Sequence, residues 1–274
     1  MKSVRTKFVV LTLAALAASG CGIFKRSAPK TPVLGERVAV LETELDVAVD
    51  PATAALPFSL ALPVPNAEWA QAGGNASKSM PHLALGQSLG EAWSVSIGEG
   101  SDVRSRLAAA PVVADGKVFT IDTQATVRAF NAQTGATEWA TQFGVERGNN
   151  GALFGGGVAF DNGRIYATNG LGYVAALDAR NGGIIWQVHP TGPLRGSPTV
   201  FGESVYVISQ DNQIYSLKAS DGSTNWSQAA ALEIAGVFGS ASPAVAQGTV
   251  VAGFSSGELN AYRYENGRNV WQDQ

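Results

Sequence analysis

From Pro111 onward, short apolar runs alternate with polar or glycine-containing turns. The first stretch contains four such runs, at 111–113, 118–121, 127–130 and 138–140. The dipeptides Asp115-Gly116 and Thr134-Gly135 separate the first pair and the last pair of runs. Apolar runs of this length, bounded by turn residues, predict four β-strands joined by hairpins.

The same pattern occurs four times, and each copy has a tryptophan 28 residues after its apolar start. The copies run from Pro111 to Trp139, Val158 to Trp186, Pro198 to Trp226 and Pro243 to Trp271. A glycine precedes each tryptophan by four residues, at Gly135, Gly182, Gly222 and Gly267. A single small sheet cannot bury both of its faces, so it must stack on a copy of itself.

Four strands repeated every 40 to 47 residues are typical of a propeller blade. We therefore predict an all-β fold, a β-propeller of four-stranded antiparallel blades over residues 67–274. The four visible units lie near 107–143, 155–190, 195–230 and 241–274. The large tryptophan side chains are expected to fill the space between neighbouring blades.

The N-terminal residues have the pattern of an export signal. A basic head precedes an apolar core, Phe8 to Ala18, which is shorter than the roughly 20 residues that a membrane span requires. The segment Ala18-Ser19-Gly20-Cys21 resembles the cleavage site of bacterial lipoproteins. Cys21 is the only cysteine, so it cannot form an internal disulfide. We predict a signal peptide over 1–20 and lipidation of Cys21, for example with palmitate; a free thiol placed there by chance is the alternative.

Residues 21–66 have no counterpart among the repeats. They contain six prolines, at positions 29, 32, 51, 57, 63 and 65. Proline disfavours helix interiors, so we predict an extended tether that leads from Cys21 to the propeller.

Composition argues against several kinds of site. The net charge is -3, charged residues make up 15% of the chain, and no basic run follows the signal, so nucleic acid is not expected as a partner. The two histidines, His82 and His189, lie in different segments without metal-ligand spacing. The glycine-rich run 151–157 lacks a following Gly-Lys-Ser/Thr and is interpreted as a turn between blades. No catalytic, metal-binding or cofactor-binding residue is predicted, and the chain is expected not to be an enzyme.

A family resemblance appears in the third unit. Its sequence from Ser197-Pro198 through Val205-Tyr206-Val207 to Asp221-Gly222 and Trp226 resembles the pyrroloquinoline-quinone-type propeller repeat. The segments 68–75 and 92–100, together with Cys21, are similar to the outer-membrane assembly lipoprotein BamB family. This resemblance implies a non-enzymatic, eight-bladed scaffold at the periplasmic face of the outer membrane. Its implied partner is a BamA-type barrel-assembly protein, and its implied role is assembly of β-barrel outer-membrane proteins.

Alternatives remain for both architecture and function. Four units and the orphan strand around Trp93 suggest the first half of an eight-bladed ring, truncated at its C-terminal side, whereas a closed four-bladed ring is the alternative. A quinoprotein-type dehydrogenase shares the repeat, but those enzymes need a Ca²⁺ cage, a stacking tryptophan and often a vicinal cysteine pair. A periplasmic sensor or other propeller lipoprotein that acts as a binding module is the third class.

The link between the third and fourth units, residues 229–242, is the predicted partner surface. It carries four apolar residues that the strands do not need, Leu232, Ile234, Val237 and Phe238. The corresponding loop in the family resembles a BamA-binding element with a Leu-Arg pair, of which Val237-Phe238 keeps only the apolar member. Leu194-Arg195, one blade earlier, is a candidate source of the cation, with an ordinary connecting turn as the alternative.

We expect Cys21 to be lipidated in cells. Several acyl chains anchor a protein stably because each buried methylene contributes about 0.8 kcal/mol. Metabolic labelling with a fatty acid should mark the wild type and leave the Cys21→Ser variant unlabelled. Equal labelling of the two proteins would show that Cys21 is not the acceptor.

Overall fold

In a computed structural model, residues 50–103, 105–145, 155–232, 239 and 241–274 of the chain are described. Two compact units are present, residues 1–58 and residues 59–274. The described part of the first unit holds one short helix, α1 (Pro51–Ala54). Its N-cap is Asp50, whose carboxylate accepts hydrogen bonds from the Thr53 hydroxyl and the Ala52 N–H. These hydrogen bonds lower the pKa of Asp50. None of the described helical residues forms a stretch with the length and hydropathy of a membrane span.

The second unit is built from four separate four-stranded antiparallel sheets. Blade 1 consists of β1 (Val112–Ala114), β2 (Lys117–Ile121), β3 (Thr126–Asn131) and β4 (Thr137–Gln142). Blade 2 consists of β5 (Gly156–Asp161), β6 (Arg164–Asn169), β7 (Val174–Asp178) and β8 (Ile184–Val188). Blade 3 consists of β9 (Thr199–Phe201), β10 (Ser204–Ile208), β11 (Gln213–Lys218) and β12 (Thr224–Ala229). Blade 4 consists of β13 (Ala244–Ala246), β14 (Thr249–Gly253), β15 (Leu259–Arg263) and β16 (Asn269–Asp273).

Within each blade the strands pair in chain order through hairpins. The prediction of an all-β propeller with four-stranded antiparallel blades is therefore confirmed. The described end of the glycine-rich run departs from the interpretation as a turn, because Gly156 and Gly157 begin β5, the first strand of blade 2. A Cβ on Gly157 would lie 1.9 Å from Ser197 Oγ, so the small residue permits close approach of blade 3.

The hydrophobic core lies between blades, so each blade needs a neighbour to bury its apolar face. Phe119 of blade 1 and Ile165 of blade 2 belong to one cluster of buried residues. Tyr166 of blade 2 packs in a second cluster with residues of blade 3, and a third joins Tyr206 of blade 3 to Val250 of blade 4. Burying one such side chain stabilises the fold by about 1.5–3 kcal/mol.

A tryptophan docks each of the first three blades onto the following one. The indole N–H of Trp139 donates to Ala179 O at 3.1 Å, and its ring covers Gly182 in the following blade. The same pair of contacts joins Trp186 to Ala219 and Gly222, and Trp226 to Tyr264 and Gly267. In each case the accepting carbonyl comes three residues before the glycine, so one turn supplies both the contact surface and the acceptor.

Trp93 docks on blade 1 in the same way. Its indole donates to Ala132 O at 3.0 Å, and its ring covers Gly135. The backbone after it is held by Arg128, whose Nη1 donates to Ile97 O and to the buried carboxylate of Asp122, each at 2.6 Å. Trp93 thus contacts blade 1 as the tryptophan in the last strand of a blade contacts the blade that follows it. At the other end, Trp271 is 43% exposed and no described residue covers it as the other tryptophans are covered.

Substituting a docking glycine should destabilise the propeller more than substituting a turn glycine of the same conformation. Gly182 has φ +72° and a Cβ there would lie 2.5 Å from Trp139, whereas Gly163 has φ +71° and open space around it. Both alanine variants strain the backbone by roughly 1 kcal/mol, and Gly182→Ala adds an overpacking cost of about 1–3 kcal/mol. Urea unfolding should therefore give a lower midpoint for Gly182→Ala than for Gly163→Ala. Equal midpoints would contradict the docking role.

Candidate partner-binding site

One segment of the chain, residues 69–76, runs past the first strand of every blade; we call it the inner segment. It hydrogen-bonds to one residue in each blade through the pairs Trp69 with Val113, Ala70 with Phe160, Gln71 with Val200 and Ala76 with Val245. Three of these contacts use the backbone of both residues. The first strands therefore present edges that the protein itself already occupies.

Gln71 extends this pairing with its side chain. Its amide Nε2 donates to Val200 O at 2.8 Å and its Oε1 accepts from Val200 N at 3.0 Å, so the amide replaces a strand backbone. The residue is 5% exposed. Burial lowers the pKa of Lys78 to about 8, because desolvation disfavours the charged ammonium. That ammonium has no hydrogen-bond partner among the described residues.

The predicted partner residues fall into three groups. Leu232 is 71% exposed, as a contact residue requires. Ile234, Val237 and Phe238 lie outside the described residues. Leu194 is 1% exposed and packs in the cluster between blades 2 and 3, a burial that the sequence did not indicate.

The beginning of the predicted loop is held by two buried side chains from neighbouring blades. Ala231 N donates to Glu258 Oε2 of blade 4 at 2.7 Å, and Ala231 O accepts from Asn212 Nδ2 of blade 3 at 2.7 Å. Asn212 is 0% exposed and Glu258 is 6% exposed. Both polar atoms of Ala231 are thereby fixed immediately before the exposed Leu232.

Arg195 lies in the same hydrogen-bond network as the loop. Its Nη2 donates to Gln210 O at 2.7 Å and to Ser255 Oγ at 3.2 Å. Ser255 Oγ in turn donates to Asn212 Oδ1 at 2.8 Å. Burial lowers the pKa of the Arg195 guanidinium, and the charge of Asp211 partly opposes this shift. The structure therefore connects Arg195 to Ala231 at the start of the loop, although they are about 35 positions apart in sequence. We call Ala231 the root of the loop.

A cleft of about 350 Å³ adjoins this network. Its lining includes Arg195, Asn212 and Ser255 together with the apolar side chains of Ile208 and Phe254. Gly239 and Ala241, which both belong to the predicted loop, border the same cleft. An apolar floor with one cationic group suits recognition of a protein segment that carries an apolar and an acidic residue.

Sequence reasoning missed Asn212 and Glu258, yet a signal existed. Asn212 is the fifteenth residue of its unit, and the same position holds Ala125, Gly172 and Gly257 in the other units. All four residues have positive φ, which favours glycine and tolerates asparagine. Two other units have glycine at this position, so the asparagine side chain of the third unit indicates an additional hydrogen-bonding role there.

The described residues contain no group of three or more histidine, cysteine, aspartate or glutamate side chains that could hold a metal ion. His82 Nδ1 lies 2.8 Å from Ala61 O, and His189 Nε2 lies 2.8 Å from Leu171 O. Each histidine therefore has a local backbone partner, and the two do not converge.

These features define a β-propeller of tryptophan-docked, four-stranded blades. The sequence model of the family described as "Outer membrane protein assembly factor BamB" matches residues 123–274. The chain belongs to this family.

Similarity to individual relatives agrees with the family assignment. The BamB protein of Yersinia pestis is 29% identical over 187 residues, which are 66% of this chain and 47% of that protein. The chain thus spans about half the length of the curated relatives it matches.

Solved structures show the same fold. The crystal structure of BamB from Moraxella catarrhalis superposes with a TM-score of 0.54 at 22% identity, over 64% of this chain and 51% of that one. Quinohemoprotein alcohol dehydrogenase from Comamonas testosteroni superposes with a TM-score of 0.61 at 20% identity, over 76% of this chain and 41% of that one. At these identities the likeness concerns the fold alone.

We expect the Gln71 side chain to contribute strongly to stability. Gln71→Met keeps the volume but leaves the buried Val200 N–H and C=O without these partners, which should lower the free energy of unfolding by about 2 kcal/mol or more. Gln133→Met, at an exposed position in a turn of blade 1, is the control and should unfold like the wild type. Coincident urea curves for all three proteins would show that the inner segment is not held by Gln71.

Proposed function

We propose that this chain is a non-enzymatic scaffold that assists assembly and insertion of β-barrel proteins in the outer membrane. It acts by binding the periplasmic domains of a BamA-type assembly protein. The observation that supports it is the fixed backbone of Ala231, which directly precedes the exposed Leu232 and shares a hydrogen-bond network with Arg195. Membership in the BamB family supports the choice of partner.

In this proposal the contact surface is the loop 229–242 with Arg195. Leu232, Ile234, Val237 and Phe238 supply apolar contact, and Arg195 supplies a cation for a carboxylate of the partner. Leu194 acts indirectly, because its buried side chain anchors the backbone that carries Arg195. We further propose that lipidated Cys21 holds the protein at the periplasmic face of the outer membrane.

A quinoprotein-type dehydrogenase is the competing function, because such enzymes share the propeller fold, as the Comamonas testosteroni enzyme does. Such an enzyme needs a stacking tryptophan and a Ca²⁺ cage. Trp93, Trp139, Trp186 and Trp226 are each committed to docking between blades. No acidic metal-binding cluster occurs in the described ranges, so these residues do not fit a quinone with its calcium ion.

Truncating the loop side chains should weaken binding of the assembly protein. Interface hot spots cost about 2 kcal/mol or more when truncated, so the triple variant Leu232→Ala, Val237→Ala, Phe238→Ala should bind at least roughly thirtyfold more weakly. Leu89→Ala removes a leucine of similar exposure, 76%, in another segment and should bind like the wild type. Affinity for the purified periplasmic domains is measured by pull-down and titration, with thermal unfolding as the folding check.

Two outcomes would contradict this proposal. Wild-type protein that does not bind the periplasmic domains would remove the proposed function itself. A folded triple variant that binds as tightly as the wild type would place the interface elsewhere on the propeller.

A further inference from the structure

We infer that Asn212 and Glu258 are positioning residues that hold Ala231, and through it Leu232, in the arrangement that binds the partner. This inference rests on the proposed function, because it concerns the same surface. It adds two buried residues that need not touch the partner. Their effect is transmitted through the backbone of Ala231 to Leu232.

The carboxylate of Glu258 is fixed next to the loop root because it accepts hydrogen bonds from three donors. Its Oε2 accepts from Ala231 N at 2.7 Å and from Ser256 Oγ at 2.6 Å, and its Oε1 accepts from Gln272 Nε2 at 2.6 Å. A carboxylate that accepts three hydrogen bonds has little freedom to rotate. Hydrogen bonds to a charged group are also about twice as strong as neutral ones.

Asn212 holds the other side of the same residue. Its Nδ2 donates to Ala231 O, while its Oδ1 accepts from Ser255 N at 3.2 Å and from Ser255 Oγ at 2.8 Å. Its own backbone carbonyl accepts from Ala230 N at 2.8 Å. Residues of blade 3 and of blade 4 therefore both form hydrogen bonds with the first residues of the link.

The link between blades 1 and 2 shows that this grip goes beyond what the repeat requires. Gly144 follows Trp139 by five residues, as Ala231 follows Trp226. Its N–H donates to Gln187 Oε1 at 3.0 Å and its carbonyl accepts from Asn169 Nδ2 at 3.3 Å, so both partners are neutral amides of blade 2. The residue of that unit equivalent to Asn212 is Ala125, which has no side-chain donor for a carbonyl. Holding one residue from both neighbouring blades, with a carboxylate as the acceptor, thus distinguishes the link that carries Leu232 from the link between blades 1 and 2.

The clamp also limits how a partner can bind. Because both polar backbone atoms of Ala231 are used inside the protein, a partner strand cannot pair with the link at that residue. Contact must begin with the side chain of Leu232. A root that is ordered before binding avoids the entropic cost of ordering it in the complex, which favours affinity.

The test uses the full chain with three variants and two readouts. Asn212→Gly removes one half of the clamp. Glycine tolerates the positive φ of +58° at this position, and Gly172 and Gly257 have φ of +92° and +93° at the equivalent positions, so this variant should fold. Glu258→Ala removes the other half, and Glu258→Gln keeps an acceptor oxygen. Asn162→Gly is the matched control, since Asn162 also has positive φ but lies in the turn between β5 and β6, away from the link. The readouts are amide hydrogen exchange at Ala231 and Leu232, and affinity for the BamA-type periplasmic domains.

We expect Asn212→Gly and Glu258→Ala to exchange these amides about tenfold faster and to bind about tenfold more weakly, with Glu258→Gln in between. Asn162→Gly should match the wild type in both readouts. The inference is overturned if the clamp variants retain wild-type exchange, if exchange rises without loss of affinity, or if Asn162→Gly loses affinity equally. Should the wild type fail to bind the periplasmic domains, the proposed function falls, and the exchange rates alone then decide whether the two residues position the link.

Discussion

The docking of one indole on the next blade is the interaction on which the propeller depends. A four-stranded sheet leaves apolar residues on both faces, so each blade is stable only when a neighbour covers it. The tryptophan ring supplies apolar area, and its N–H fixes the angle between sheets by donating to a single carbonyl. Because the ring fills the space that a Cβ would need, the turn beneath it must contain glycine at positive φ.

That geometric requirement is why the fold was visible in the sequence. The glycine four residues before each tryptophan is the covered turn of one blade, and the tryptophan is the docking group for the next. Any insertion within a unit would move Trp139, for example, away from Gly182 and Ala179 O. Insertions are confined to the links, where length does not affect docking. The repeat therefore predicted the blades, their strands and their packing.

Contacts that do not repeat could not be predicted in this way. Gln71 reaches Val200 across 129 positions, and nothing in the local sequence around either residue specifies the pairing. The buried position of Leu194 was missed for a related reason. Apolar residues in a link resemble interface residues in sequence, but only the neighbouring blade decides whether they are covered.

The candidate site arises where the repeat is broken. Positions that serve docking carry similar residues in every blade, so they can support the fold but cannot distinguish one link from another. Asn212 and Glu258 differ from their equivalents, and both differences converge on Ala231. A residue that departs from its repeat and is also buried needs a partner inside the protein, because unpaired buried polar groups are costly. Here that partner is the backbone directly before an exposed leucine, so the departure shapes a surface that the repeat by itself does not specify.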